Sequence, residues 1–241
     1  MSPEVVSELA PTGVLRAGIN LGNFLLVTGR SPSGDPEGVA PDMAREIAAR
    51  LGVPVEYVPF PRPGELADAA ERGVWDIGLI GAEPQRAEKI AFSPAYVEIE
   101  ATYLVPAGSP LQTIADVDRP GVRIAVTARA AYDLWLERNI KHAELVRSGS
   151  LDAAFEQFVA EKLDALAGLK PRLLTDVEKL PGARILDGQF TAVQQAVGTA
   201  RKNAAGAAFL RDFVEEAKAS GLVARLIERH RVRGLTVAAP A

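Results

Sequence analysis

The run Gly73-Val-Trp-Asp-Ile-Gly-Leu-Ile-Gly81 carries a single charge, that of Asp76, in an otherwise apolar stretch. Near-continuous apolarity predicts a strand over 75–80 buried on both faces, the pattern of a parallel sheet covered by helices. The same order of elements recurs upstream. The pattern predicts a strand over 14–19, a loop rich in Gly, Ser, Pro and Asp over 28–38, and a helix opened by Asp42. Met43, Ile47 and Leu51 recur at four-residue spacing along that helix, and Gly52 closes it. Val53, Val55 and Tyr57 alternate as a strand, and a short helix over 65–72 ends at Gly73.

Beyond Val105 the rhythm resumes. Strands over 122–126, 143–146, 164–167 and 184–186 alternate with helices over 132–140, 151–163 and 172–180, and the tail 204–229 is helical with a break at Gly221. Strands alternating with helices argue for an α/β chain with parallel sheets. The rhythm comes in two blocks, before and after the extended segment Glu100-Ala-Thr-Tyr-Leu-Val-Pro106, which implies two lobes rather than one long sheet.

A chain of 241 residues has room for one large or two small domains. The net charge of -4 is mild and no basic stripe interleaves with aromatics, so there is no footprint for nucleic acid. Arg225, Arg229, His230, Arg231 and Arg233 read as the solvated face and last turn of a C-terminal helix. The absence of cysteine excludes disulfides, thiolate catalysis and cysteine-ligated zinc. No apolar run approaches the roughly 18 residues that span a bilayer. The opening Met1–Leu9 has neither a basic n-region nor an apolar h-region, so no signal peptide is read there. Either an export signal has been removed or the protein is not exported by that route, which leaves the cytoplasm open.

Three stretches, taken together, resemble the family 3 (amino-acid type) extracellular solute-binding proteins of ABC importers. The first is Gly13-Val-Leu-Arg-Ala-Gly18 with Gly38-Val-Ala-Pro-Asp42 and the helix to Gly52. The second is the apolar run at Asp76 followed by Arg86-Ala-Glu-Lys-Ile-Ala-Phe92-Ser93-Pro94-Ala-Tyr96. The third is Ile114-Ala-Asp-Val-Asp118, Gly121-Val-Arg-Ile-Ala-Val126 and Leu163-Asp164-Ala165. The resemblance implies an α/β, two-lobed, periplasmic-binding-protein-like (type 2) fold, each lobe a mixed sheet flanked by helices. Lobe 1 would take 1–105 and 192–241, and lobe 2 would take 106–191. Two crossover segments, Glu100 to Pro106 and Thr191 to Gly198, would join them, both patterned as strands. Ligand would lie between the lobes and hinge closure would bury it. The same resemblance implies a monomeric periplasmic protein that captures a small carboxylate or amino-acid-like solute and hands it to ABC transporter membrane subunits.

By resemblance, Arg86 matches the arginine that grips the ligand's α-carboxylate, a task suited to a planar guanidinium that stays charged when desolvated. The alternative for Arg86 is a surface pair with Glu83 or Glu88. The connection from Asp76 to Arg86 is about two residues shorter than is usual in the family, and it lacks the hydroxyl residues that often line it. Amino-acid binders usually place an aspartate five residues after the pair matched by Asp164-Ala165, to receive the ammonium. Leu169 stands there. A buried ammonium without a partner costs several kcal/mol, which favours a carboxylate without one unless Glu83 supplies the charge. Arg129 replaces the usual small residue of a lobe 2 turn; a cation is unfavourable at a helix start, so either an anion binds there or the side chain points to solvent. Asn23 and Phe24 align with a ligand-stacking position, Phe24 reading equally as core; Gln194 and Gln195 on the returning crossover read first as solvated, with an amide contact at the cleft base, from Gln194, as the alternative.

Histidines 142 and 230 form no cluster, and no Ser-His-Asp pattern or glycine-rich phosphate loop occurs. No metal and no cofactor is expected. The fold is known by resemblance to host cyclohexadienyl (arogenate/prephenate) dehydratases, for which Glu83 is a conceivable general acid. The expectation is a binder, with that enzyme as the alternative.

Overall fold

The computed structural model describes residues 2–241. In chain order the elements are α1 (Pro3–Leu9), β1 (Leu15–Asn20), β2 (Gly29–Arg30), β3 (Pro36–Glu37), α2 (Val39–Leu51), β4 (Val55–Phe60), α3 (Pro63–Asp68), β5 (Ile77–Gly81), α4 (Pro84–Ala87), β6 (Ile90–Phe92) and β7 (Val97–Val105). They continue with β8 (Arg123–Thr127), α5 (Ala131–Asn139), β9 (Glu144–Ser148), α6 (Leu151–Ala160), β10 (Ala165–Leu169), α7 (Lys170–Val177), β11 (Arg184–Ile185), β12 (Thr191–Ala200), α8 (Ala204–Ala219), α9 (Leu222–Arg229) and β13 (Thr236–Val237). The chain divides into two compact units. The first takes the residues up to Glu98 with Gln194–Ala241, and the second is Ile99–Val193. Residues 101–105 go with the second unit because they pair with β10 and β11.

In the first unit β4, β1 and β5 are parallel neighbours, and the 194–200 part of β12 runs antiparallel beside β5. Alternation along the strands divides the side chains between two faces. Leu15, Ala17, Ile19, Ile77, Leu79 and Val197 pack with Met43 and Ile47 of α2, Leu210 and Val214 of α8, and Leu226 of α9. Leu66, Trp75, Ile80 and Ile90 cover the other face. Arg16 clamps the amino ends of β1 and β5. Its Nε and Nη2 donate to the Asp76 carboxylate at 3.0 and 2.7 Å, and its backbone N–H adds a third bond at 2.9 Å.

Helix α2 begins at Val39, ahead of the expected entry at Asp42. Gly38 turns the chain into it with φ 147°, leaving Asp42 within the first turn, where a carboxylate favours the exposed N–H groups. That buried carboxylate gathers Arg45 at 2.7 Å, Arg229 at 3.3 Å and His230 at 2.7 Å. The C-terminal basic cluster is therefore not simply a solvated face, since Arg229 and His230 tie the end of α9 to the start of α2.

In the second unit β10, β8 and β9 are parallel, and the 101–104 part of β7 is antiparallel to β10. Leu104, Ala125, Phe158, Leu163, Leu166 and Leu173 form one core cluster. Tyr103 and Trp135 both pack on Phe190, with ring centroids 4.6 and 5.5 Å away. Among the described residues no helix is long and apolar enough to cross a membrane.

A Cβ at residue 38 would lie 2.3 Å from the Leu26 carbonyl oxygen, whereas one at Gly52 would meet nothing within 4 Å. Gly38→Ala is expected to cost about 3 kcal/mol, from backbone strain plus overpacking. Gly52→Ala, strained in φ alone, is expected to cost about 1 kcal/mol. Urea titration of both variants checks this, and equal losses would show that the Leu26 contact is not the constraint.

Candidate functional site

Open α/β sheets bind ligands beyond the carboxyl ends of their strands, so the loops that leave those ends come first. In the first unit β1 ends at Asn20 and β5 at Gly81, with Ile19 opposite Leu79. The loop after β1 is organised by Asn23, whose Oδ1 accepts from the N–H groups of Leu25 and Leu26 at 3.1 and 3.2 Å. Its own carbonyl accepts from Val27 at 3.0 Å. Leu25 and Leu26 are thereby turned inward, while Phe24 stays 38% exposed. Asn23 thus holds the loop that presents the Phe24 ring, and that ring is not core.

The loop after β5 is short and pinned. The Ala82 N–H donates to the Gln194 carbonyl at 2.7 Å. Glu83 sits at the N-cap of α4 in extended conformation, and Pro84 fixes the first helical φ. One turn later Arg86 Nη1 donates back to the Gly81 carbonyl at 2.8 Å. Glu83 and Arg86 are 8% and 5% exposed, so both charged groups are withdrawn from bulk water. Gln195 is the cross-strand partner of Gly81. One edge of the first unit thus carries Asn23, Phe24, Glu83, Arg86 and the Gln194–Gln195 pair.

Arg129 belongs to the second unit, at the corresponding edge. It lies between β8 and α5 with φ 61°, a left-handed conformation that disfavours any residue with a Cβ. Its N–H donates to Asp133 Oδ2 at 2.8 Å. Asp133, 1% exposed, also accepts from Arg147 Nε at 3.0 Å. Leu169 ends β10 and is buried at 8% exposure. The residue after it, Lys170, pairs with Glu100 at 2.9 Å.

Sequence reasoning missed a further group on this unit. Arg172 Nε bridges both Asp176 oxygens at 3.0 Å and its Nη2 reaches Asp152 at 2.7 Å. The Arg172 guanidinium holds the Asp152 carboxyl below the usual carboxylate range. Thr127, Tyr132, Gly168, Arg172 and Asp176 line a narrow recess. Burial pushes the Tyr132 hydroxyl up to about 12, with Thr127 pulling the other way. The i to i+4 spacing of Arg172 and Asp176 was the available signal.

At the amino ends of β1 and β5 the first unit has a second recess of about 500 Å³, lined by Arg16, Glu71, Asp76, Lys89 and Lys202 among others. Its charges pair with one another, Arg16 with Asp76 and Lys89 with Glu71. No group of His, Cys, Asp and Glu among the described residues is placed to hold a metal ion.

The family model of the bacterial extracellular solute-binding proteins, family 3, matches residues 23–232. A cyclohexadienyl dehydratase of Pseudomonas aeruginosa is 26% identical over 165 residues, which is 67% of this chain and 61% of that enzyme's length. A mutant of ArgBP from T. maritima superposes with TM-score 0.74 at 22% identity, covering 94% of this chain and 99% of that one. A putative ABC-transporter binding component from Wolinella succinogenes, complexed with lysine, gives 0.74 at 20% identity over 90% and 95%. An ancestral amino acid-binding protein, a precursor of cyclohexadienyl dehydratase, gives 0.73 at 22% identity over 93% and 98%. The fold is the α/β periplasmic-binding-protein-like one.

Asp133 holds both the Arg129 backbone and the Arg147 side chain. Asp133→Ala is expected to lower stability by about 1–3 kcal/mol, because it leaves the part-buried Arg129 N–H and Arg147 Nε without their shared acceptor. Chemical denaturation checks this, and a loss below about 0.5 kcal/mol would show that the turn does not depend on the carboxylate.

Proposed function

The chain belongs to family 3 of the bacterial extracellular solute-binding proteins, and from that premise we propose that its solute is a small carboxylate without an α-ammonium, held by Arg86 and passed to an ABC importer. The observation that supports this most is Arg86 itself. An arginine that is 5% exposed, at the carboxyl edge of the sheet and with Nη1 steadied by the Gly81 carbonyl, has the planar fork that suits bidentate recognition of a carboxylate. Leu169 supports the second half of the reading. The position where the family's amino-acid binders commonly carry an aspartate is a buried leucine here, which gives a desolvated ammonium nothing to pair with. Arg129 supplies a further cation on the second unit, Phe24 an exposed ring for apolar contact, and Asn23 and Gln194 hold the loops in place.

A second reading, a dehydratase on the same fold, is favoured by the match to the Pseudomonas enzyme and by the buried carboxyl of Glu83. In that reading Glu83 would protonate a leaving hydroxyl. Binding without turnover is the reading preferred, and incubation with prephenate or arogenate is expected to yield no aromatic product above the uncatalysed rate.

The carboxylate reading is tested by calorimetry against paired ligands, each α-amino acid beside its deaminated counterpart. The deaminated members are expected to bind more tightly. Arg86→Ala is expected to weaken them by about 2–5 kcal/mol, roughly 30-fold to several thousand-fold, and Arg86→Lys to recover only part. Leu169→Asp is expected to shift preference toward the amino acids. Tight binding of an ordinary α-amino acid to the unaltered protein would overturn the reading.

A further inference from the structure

Asp187 is the one aspartate in the chain that a glycine follows, and no asparagine is followed by one. The dipeptide lies in the second unit, in the loop between β11 and β12, where Asp187, Gly188 and Gln189 are all exposed. Asp-Gly is a turn-forming pair, and Gly188 takes a left-handed φ of 82°. A Cβ there would meet nothing within 4 Å, so the space beside the Gly188 backbone is open. The two ends of the loop, by contrast, are fixed to β7. The Leu186 N–H donates to the Tyr103 carbonyl at 2.9 Å, and the Phe190 N–H donates to the Ala101 carbonyl at 3.0 Å. Buried Leu186 is held a second time, its carbonyl accepting from Thr102 Oγ1 at 3.2 Å. Half-buried Phe190 relies on its one N–H bond and on the packing of its ring against Tyr103 and Trp135.

We propose that Asp187-Gly188 is a site of self-modification, in which aspartate becomes isoaspartate, and that the change loosens the anchor of Phe190. The nucleophile is the Gly188 amide nitrogen and the electrophile is the side-chain carboxyl carbon of Asp187. An N–C bond forms between them, and the amide proton leaves with the carboxyl hydroxyl as water, giving a five-membered cyclic imide. Glycine favours this step because no Cβ shields its nitrogen and its backbone turns freely. Water then opens the ring. Cleavage of the new N–C bond restores aspartate. Cleavage of the bond from nitrogen to the former main-chain carbonyl leaves isoaspartate, joined to Gly188 through its side chain and carrying a free α-carboxylate. One water is lost and one is gained, and nothing is oxidised or reduced. The main chain is then longer by one carbon between two anchors set for the shorter path. Phe190, the more weakly held end, takes up the mismatch. The proposal does not depend on the carboxylate reading.

The test ages the full chain for several weeks at physiological temperature and pH, then digests it with trypsin. Cleavage after Arg184 and Arg201 releases the peptide 185–201, whose only aspartate is Asp187. The expected result is a second chromatographic peak of unchanged mass that accumulates with time, fragments as isoaspartate and accepts a methyl group from an isoaspartyl methyltransferase. The isoaspartyl protein, separated from the rest by chromatography, is expected to melt about 2–4 °C below fresh protein as the Phe190 packing weakens. Asp187→Glu keeps the charge at an exposed position, and its six-membered imide closes slowly. That variant, aged in the same way, is expected to show neither the second peak nor the fall in melting temperature. A single peak from the aged unaltered protein would overturn the proposal, and most clearly if a synthetic 185–201 peptide isomerises under the same conditions. An isoaspartyl protein that melts with the fresh one would overturn the link to Phe190.

Discussion

The register of β5 between a parallel β1 and an antiparallel β12 is the constraint from which the site follows. With Ile19 opposite Leu79 and Gln195 opposite Gly81, the loop at Asn23, the loop at Glu83 and the entry of β12 all open at one edge. Side-chain direction has a period of two, so a slip of one residue would turn Leu79 and Val197 out of the core and Gln195 away from it. Several bonds hold the register at the amino end. Arg16 grips the Asp76 carboxylate, and Thr199 Oγ1 donates to the Asp76 carbonyl at 2.8 Å. At the carboxyl end, Ala82 to Gln194 and Arg86 to Gly81 finish the strand.

Three local choices run against ordinary stability, and all three lie at carboxyl edges. Arg129 adopts a left-handed backbone that glycine would adopt more readily. Arg86 and Glu83 bury charged groups. Elsewhere the chain obeys local rules. Asp42 sits in the first turn of α2 beside Arg45, Arg229 and the His230 ring, and Ser150 caps α6 by accepting from Ala153 at 3.1 Å. Departures from local preference that gather at one kind of place are what a binding function leaves behind.

Much of this was legible in the sequence because hydrophobic period and glycine placement carry it. The apolar run at Asp76 is β5, the fourfold spacing of Met43, Ile47 and Leu51 is α2, and Gly52 and Gly221 mark helix boundaries. Helix α2 starts three residues before the expected entry at Asp42, because Gly38 turns the chain into it with a positive φ and no side-chain cap marks the start. Helix α1, the hairpin of β2 and β3, and the short α4, β6 and β13 are too brief to show a period. In the site, Arg86 and Glu83 were visible as residue types in a motif. What pins them was not visible, since the Gly81 carbonyl and the β12 register are features of the folded chain. The parity of Val193, Gln195 and Val197 could have separated Gln195 from Gln194. The tie of Arg229 and His230 to Asp42 links positions nearly two hundred residues apart, which no local pattern reveals.

The account's central claim is that Arg86, at the carboxyl edge of the first unit, holds a carboxylate that carries no α-ammonium. Native mass spectrometry of the protein as purified, with release and fragmentation of any bound molecule, tests it most directly. The expected result is a non-covalent adduct whose mass and fragments are those of a small carboxylate without an α-amino group, absent from Arg86→Ala prepared in the same way. An adduct identified as an ordinary α-amino acid, or one retained undiminished by Arg86→Ala, would contradict it.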